Sequence, residues 1–241
     1  MSEADLNNGI IIGSNKDTEW MLPWWFERLR EYNPNVHVSV HDYGLSEGMK
    51  QFLLNNDRGI KANSMASLDN LPEVYPWFLK PMSMLSSPFK KTMWLDCDTE
   101  ICGDITDLFE MTIPEKLSMV QDMPWSKQFG TKMFNSGVVV FEGKPTILKR
   151  WCKAIETNPQ RGDQETLHAI MDPLQQVMYI EDLPNKYNVV RLQLDPDGAH
   201  YVNVPDTRIK HWTGTKGKKI INQHLNAVNP KLLQKLKDAS I

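Results

Sequence analysis

Asp96 and Asp98 stand two positions apart at the end of the apolar run Lys91-Thr92-Met93-Trp94-Leu95. In an extended chain residues i and i+2 point the same way, so both carboxylates should project together while Cys97 turns toward the core. Two like charges held that close repel unless something cationic lies between them. Water at an acidic surface turn would screen them as well, and the pair alone does not separate the two readings. A divalent metal would answer the repulsion directly. Hard carboxylate oxygens joined by one imidazole suit Mg²⁺ or Mn²⁺, and the imidazole tilts the choice toward Mn²⁺. The candidate imidazole is His211, in the stretch IKHWTGTKGKK at 209–219, which also holds Gly214, Gly217 and four lysines. That composition fits a mobile loop over a phosphate group, and equally a solvated basic loop with a packed histidine. His37, His41, His168, His200 and His224 offer no second close-spaced pair, so a histidine-rich zinc site has little support.

The elements that must carry these residues read as an alternation of strands and helices. Residues 9–13 are a short β-branched apolar run ending in Ser14 and Asn15, a buried first strand. A helix should follow, capped by Asp17 or Thr18, and Asn33-Pro34-Asn35 should break it. Residues 36–40 alternate as a second strand, and a second helix should start near Glu47. The β-α-β-α order argues for a parallel sheet flanked by helices. Four prolines within 72–90 leave room only for short or broken helix. Further strands are expected at 91–95, 116–120 and 134–141, and helices at 146–156, from Asp163 to about 171, and at 231–237. In parallel sheets ligands bind outside the carboxyl ends of strands. Ser14-Asn15, Asp96-Asp98 and Gln121-Asp122 are three such polar exits, and they point to one cleft.

The 241 residues carry a formal net charge of −3, with 41% hydrophobic and 24% charged residues. This fits one α/β domain spanning 1–241, with residues 1–8 as a flexible start and 220–241 as a helical extension. The charge gives no global attraction for nucleic acid. No run approaches the roughly 20 apolar residues of a membrane span. The first residues lack the basic and apolar regions of a secretion signal. The three cysteines lack zinc-site spacing and suit a reducing compartment, so a cytoplasmic location is expected.

Taken in order, several stretches resemble the GT-A glycosyltransferases, most closely the family 8 type of glycogenin and bacterial galactosyltransferases. Residues 9–15 resemble the first strand and nucleotide-binding turn, and His41-Asp42-Tyr43-Gly44-Leu45-Ser46-Glu47 the exit of the second strand. Trp94-Leu95-Asp96-Cys97-Asp98 is similar to the "YLDxD" metal motif, and 103–109 to the segment after it. Phe134-Asn135-Ser136-Gly137-Val138 matches "FNxGV", Asp163-Gln164-Glu165 resembles "DQD", and His211-Trp212-Thr213-Gly214 resembles "HxxG". The resemblance covers roughly residues 9 to 219. It implies a Rossmann-like GT-A domain with a mixed, mainly parallel sheet. It also implies a nucleotide-sugar donor, usually a UDP-sugar, a Mn²⁺ cofactor and retention at the anomeric carbon. By the same resemblance Asp98 and His211 should bind the metal, and Asp96 the metal or the donor ribose. Ser14, Asn15, Lys80, Gly214 and Lys216 or Lys218 should face the donor, while Asp122, Asn135, Asp163 and Gln164 should surround its sugar and the reacting carbon.

Three positions depart from the family pattern. Gly217 stands where relatives have a lysine, Glu165 replaces the last aspartate of DQD, and Gly13-Ser14-Asn15-Lys16 stands where Ala-Ala-Asp is usual. Uridine over guanosine selectivity is therefore left open. Two other classes fit parts of the pattern: a nucleotide-sugar-binding protein without turnover, and a pyrophosphorylase-like nucleotidyltransferase. The latter normally carries a glycine-rich basic loop after the first strand, which GSNKDTEW resembles poorly. The acceptor, whether glycan, protein or other, and the oligomeric state are not readable. Acceptor contacts are expected from 55–70, 122–133 and 190–206, where Trp125, Phe129 and Tyr201 could stack on a sugar.

Overall fold

The computed structural model describes residues 7–54 and 75–228. Its centre is a six-stranded sheet in the order β2-β1-β3-β6-β5-β7. The strands are β1 (Asn8–Ser14), β2 (His37–Asp42), β3 (Lys91–Leu95), β5 (Leu117–Gln121), β6 (Phe134–Glu142) and β7 (Ile180–Leu183). β1 pairs in parallel with β2 and β3, and β5 with β7, while β6 is antiparallel to both β3 and β5. Five strands therefore run one way and β6 alone runs against them. Ser14, Asp42, Asp96 and Asp122 thus leave the sheet at one end, where the chain also enters β6 through Phe134-Asn135-Ser136-Gly137. A second sheet, β4-β9-β8, is built from β4 (Thr99–Ile101), β8 (Val189–Val190) and β9 (Ile209–His211).

Alternation along the strands sends apolar side chains to both faces, as a parallel sheet covered on both sides requires. Ile10, Ile12, Val38, Val40, Met93, Leu95, Val138 and Val140 pack with helices α1 (Leu22–Tyr32), α2 (Glu47–Leu54) and α9 (Gly214–Val228). Ile11, Trp94, Met119, Val139 and Phe141 face α3 (Lys80–Leu85), α5 (Thr146–Thr157) and α6 (Asp163–Ala169). Shorter helices are α4 (Met123–Phe129), α7 (Pro173–Tyr179) and α8 (Arg191–Leu194). Among the described residues no helix is long and apolar enough to cross a membrane.

Several local expectations need correction. Neither Asp17 nor Thr18 caps the first helix. The Asn15 carbonyl accepts from the Thr18 and Glu19 amides, a 3-10 turn fills Glu19–Met21, and α1 starts at Leu22 with Pro23 in its first turn. β1 begins at Asn8, inside the stretch expected to be flexible. Residues 211–219 are not a loop: His211 ends β9, and a helix runs from Gly214. The Trp212 amide donates to the Asp98 carbonyl at 3.0 Å, and a Cβ on Gly217 would lie 1.8 Å from the Trp212 oxygen. The helix expected at 231–237 and the acceptor stretch 55–70 lie outside the described residues.

Candidate active site and metal centre

β3 ends at Leu95, and the next four residues form a tight turn in which the Thr99 amide and hydroxyl both bond to the Asp96 carbonyl. The turn, rather than an extended strand, brings the Asp96 and Asp98 carboxylates to one side. β4 then pairs antiparallel with β9, matching Thr99 with His211. This register sets the imidazole over the turn. His211 Nε2 lies 3.1 Å from Asp98 Oδ1 and 3.7 Å from Asp96 Oδ2. One ligand atom from each of the three residues falls within 4.8 Å of the other two.

The imidazole is clamped from behind. Its Nδ1 lies 3.1 Å from Asn135 Oδ1 and 3.1 Å from Asn188 Oδ1. The orientation of the Asn135 amide is fixed by its neighbours: Oδ1 accepts from the Gly137 amide at 2.9 Å, and Nδ2 donates to Asp122 Oδ2 at 3.0 Å. Two acceptors facing Nδ1 require it to carry a proton, so in the neutral ring the lone pair sits on Nε2, toward the carboxylates. Gly137 leaves room for the ring, because a Cβ there would lie 2.1 Å from His211 Cε1. The pairing of β5 with β6 slips between Met119 and Val120, whose partners are Val139 and Asn135, which frees Ser136 and Gly137 from β5.

Lys80, at the start of α3, is 4% exposed and sits among three groups. Its Nζ lies 3.0 Å from Asp96 Oδ1, 3.0 Å from Asp163 Oδ2 and 3.1 Å from Ser136 Oγ. Burial works against its charge, but Asp163 and Asp96 outweigh it and raise its pKa above the ordinary lysine value. Ser136 Oγ also donates to Asp163 Oδ2 at 2.7 Å, and Trp94 Nε1 donates to Asp96 Oδ1 at 2.6 Å. Burial disfavours the charge of Asp98 too, yet His211, with Lys218 and Lys80 beyond it, holds its pKa below the usual carboxylate value. Burial likewise opposes a charged His211, and Asp98 and Asp96 raise its pKa in spite of it. Positive charge at this point is therefore favoured, which is the condition a cation would exploit.

Gln164, in the first turn of α6, bridges two other members of the expected set. Its Oε1 accepts from the Ser136 amide at 3.2 Å, and its Nε2 donates to Asp122 Oδ2 at 3.3 Å. Asp122 also caps α4, taking the Trp125 amide on Oδ1 at 3.2 Å. A continuous polar chain thus runs Gln164–Asp122–Asn135–His211–Asp98. Trp125 and Phe129 stack on α4 with ring centroids 5.2 Å apart, and Phe129 is 52% exposed.

One open cleft of about 170 Å³ connects the turn to the first strand, lined by Ser14, Thr18, Trp77, Asp96, Asp98 and Lys218, among others. A larger hollow of about 430 Å³, lined by Asn8, Asn35, His37 and Asp104, lies at the opposite end of the strands and contains none of the cluster. Chemistry rather than size locates the site.

The structure brings together Ser14, Lys80, Asp96, Asp98, Asp122, Asn135, Asp163, Gln164, His211 and Lys218. Two residues expected at the donor, Asn15 and Lys216, do not line this cleft. Asn15 is engaged by Thr18 and Asp17 and does not line the cleft. Gly214 opens α9 with φ +72°, and Lys216 lines a separate hollow with Arg191, Asp195, Trp212 and Lys219. Between Lys216 and Lys218, only Lys218 lines the cleft that holds the carboxylates. Sequence reasoning missed Thr18, Trp77, Trp94, Ser136 and Asn188. Trp94 and Ser136 adjoin residues already singled out, whereas Asn188, in an unremarkable PNKYN stretch, gave no signal.

A glycosyl transferase family 8 model matches residues 80–218, more than half of the chain and every residue of the metal cluster. No curated protein sequence matches the chain. Among solved structures, an active-site mutant of LgtC superposes with a TM-score of 0.64 at 14% identity, covering 95% of this chain and 99% of that one. The galactosyltransferase LgtC in complex with donor and acceptor sugar analogues gives 0.58 at 15% identity, over 94% and 99%. The glycosyltransferase GlyE of Streptococcus pneumoniae gives 0.65 at 17% identity, over 96% of this chain but 63% of GlyE. At such identities the likeness establishes the GT-A fold, and the family match carries the activity. The chain belongs to glycosyl transferase family 8 and is a glycosyltransferase.

Proposed function

We propose that this enzyme transfers a hexose from a UDP-sugar to an acceptor, with retention at the anomeric carbon and with Mn²⁺, or Mg²⁺ in its place, as cofactor. The observation that carries the reading is the Asp96–Asp98–His211 cluster opening into the same cleft as Lys218. Two carboxylates and an imidazole with its lone pair turned inward form a fitting donor set for a hard or borderline divalent ion. When bound, the ion would supply positive charge against the departing diphosphate.

The chain's own groups do the rest. Lys218 faces the phosphates as a second, fixed cation. Ser14 and Thr18 offer hydroxyls where the nucleoside lies. Lys80 neutralises Asp96 and Asp163, keeping the carboxylate-rich floor from repelling an anionic donor. Gln164 and Asp122 present an amide and a carboxylate to the sugar hydroxyls, and Asn135 holds both Asp122 and His211. LgtC, which shares the fold, binds donor and acceptor sugar analogues, and this supports reading the cleft as a place for both. The cysteines, all free, suit a cytoplasmic enzyme, and we take residues 1–241 as one domain.

The test is calorimetry of UDP with and without Mn²⁺, followed by Mn²⁺-dependent hydrolysis of a UDP- and GDP-sugar panel. UDP affinity should rise with Mn²⁺, one UDP-hexose should be hydrolysed fastest, and Asp98→Ala should abolish the metal-dependent part. Metal-independent UDP binding with unaltered turnover in Asp98→Ala would sink the assignment.

A further inference from the structure

Asn188 lies far from the metal-binding turn in sequence. It is 1% exposed, and a buried amide is costly unless its hydrogen bonds are made. Those bonds are the informative feature. Asn188 Oδ1 lies 3.1 Å from His211 Nδ1, and Asn188 Nδ2 donates to Asn135 Oδ1 at 2.8 Å. Asn135 Oδ1 is the other acceptor facing that same Nδ1. The two amides therefore form a closed triangle with the imidazole. Asn188 sits just before β8, which pairs in parallel with β9 and sets Val190 opposite His211. Backbone pairing thus delivers the amide to the same ring nitrogen that Asn135 faces, beside Asn135 itself.

We propose that Asn188 is a positioning residue for metal binding: with Asn135 it holds the proton of His211 on Nδ1 and the ring plane toward Asp98, so that Nε2 is presented as a ligand. The inference rests on the metal reading given above. Asn135 alone cannot do this work well. Its Oδ1 already accepts from the Gly137 amide, and a single oxygen shared among donors gives each a weaker, bent bond. Asn188 adds a second acceptor that has no other donor at comparable distance among the described residues. It also fixes which face of the Asn135 amide looks at the ring. Partners of this kind typically change metal affinity about 10–100-fold when removed.

The test titrates the apo protein with Mn²⁺, reading free ion by electron paramagnetic resonance, and separately measures UDP affinity in EDTA. Wild type, Asn188→Ala, Asn188→Ser and Asp98→Ala are compared. Neither the alanine nor the serine side chain can reach Nδ1, so a folding failure in one leaves the other. The proposal expects Mn²⁺ dissociation constants about 10–100-fold higher in both Asn188 variants, with metal-free UDP affinity within about twofold of wild type. A merely structural role would lower both affinities together, and that outcome overturns the proposal. So does Mn²⁺ affinity within twofold of wild type in a folded Asn188 variant. Asp98→Ala separates the two levels of the argument. If it binds Mn²⁺ as wild type does, the metal reading itself fails; if it alone loses the ion, only the role of Asn188 fails.

Discussion

Replacing Gly137 with alanine adds one methyl group where the imidazole of His211 now lies. The new Cβ would sit 2.1 Å from Cε1 and 2.5 Å from Nδ1, against an ordinary contact of 3.4–4 Å. Relief therefore needs a displacement of about 1.3 Å, the difference between 2.1 Å and the lower contact limit. The ring has nowhere to go without loss, since Asn135 and Asn188 hold Nδ1 and Asp98 lies on the far side. Metal–ligand distances tolerate only about ±0.2 Å, so the shift should remove His211 as a ligand. A misplacement near 1 Å at a reacting site costs about 100-fold in rate. Overpacking of a buried site costs about 1–3 kcal/mol in stability. The assay is kcat/KM for Mn²⁺-dependent donor hydrolysis, with metal affinity and thermal unfolding on the same samples. The expected result is a loss of about 100-fold in kcat/KM, weaker Mn²⁺ binding, and a protein that still folds. A folded Gly137→Ala enzyme with turnover and metal affinity within about threefold of wild type would refute the claim that the FNxGV glycine exists to seat the histidine.

Gln164→Ala should lower kcat with little change in UDP affinity if this amide, bonded to the Ser136 amide and Asp122, acts on the donor sugar as proposed; a large loss of UDP affinity at unchanged kcat would move it to the nucleotide. Lys218→Ala should weaken UDP binding at least tenfold, an effect of roughly 1.4 kcal/mol, whereas Lys216→Ala should leave it unchanged; equal effects would contradict the separation of the two lysines into different hollows. His41 is 1% exposed, neither of its ring nitrogens has a partner among the described residues, and burial pushes its pKa down from 6.5 to about 4. The unfolded chain takes up a proton near pH 6.5 that the folded chain refuses until about 4, so stability is full above pH 6.5 and falls through that window by about 3 kcal/mol. Denaturant unfolding of wild type and His41→Leu at pH 7 and pH 4.5 should show that the variant loses less; parallel losses would exclude His41 as the source.

Much of the large sheet was legible in the sequence because its central strands are buried and announce themselves as short, mainly apolar runs. Residues 9–13, 91–95 and 134–141 fell within one or two residues of the observed strands. The small sheet was not legible. β4, β8 and β9 are two or three residues each, too short for any period, and their existence depends on pairing between distant segments. The site divided along the same line. Asp96, Asp98, Lys80 and His211 could be singled out because charge beside an apolar run is conspicuous. Asn188 and the separation of Lys216 from Lys218 could not: the first depends on β8, two residues long, and the second on helix α9, whose glycine- and lysine-rich start reads as loop.

The match of Thr99 with His211 across β4 and β9 also bears on how the molecule is made. Strands separated by more than a hundred residues must wait for one another, and such non-local pairings form late and slowly. During synthesis the large sheet can assemble its first strands while β4 still lacks any neighbour, leaving its edge and the adjoining acidic turn exposed. Only when residue 211 leaves the ribosome can histidine, asparagines and carboxylates meet. The metal site is therefore complete only after β9 has emerged and paired with β4.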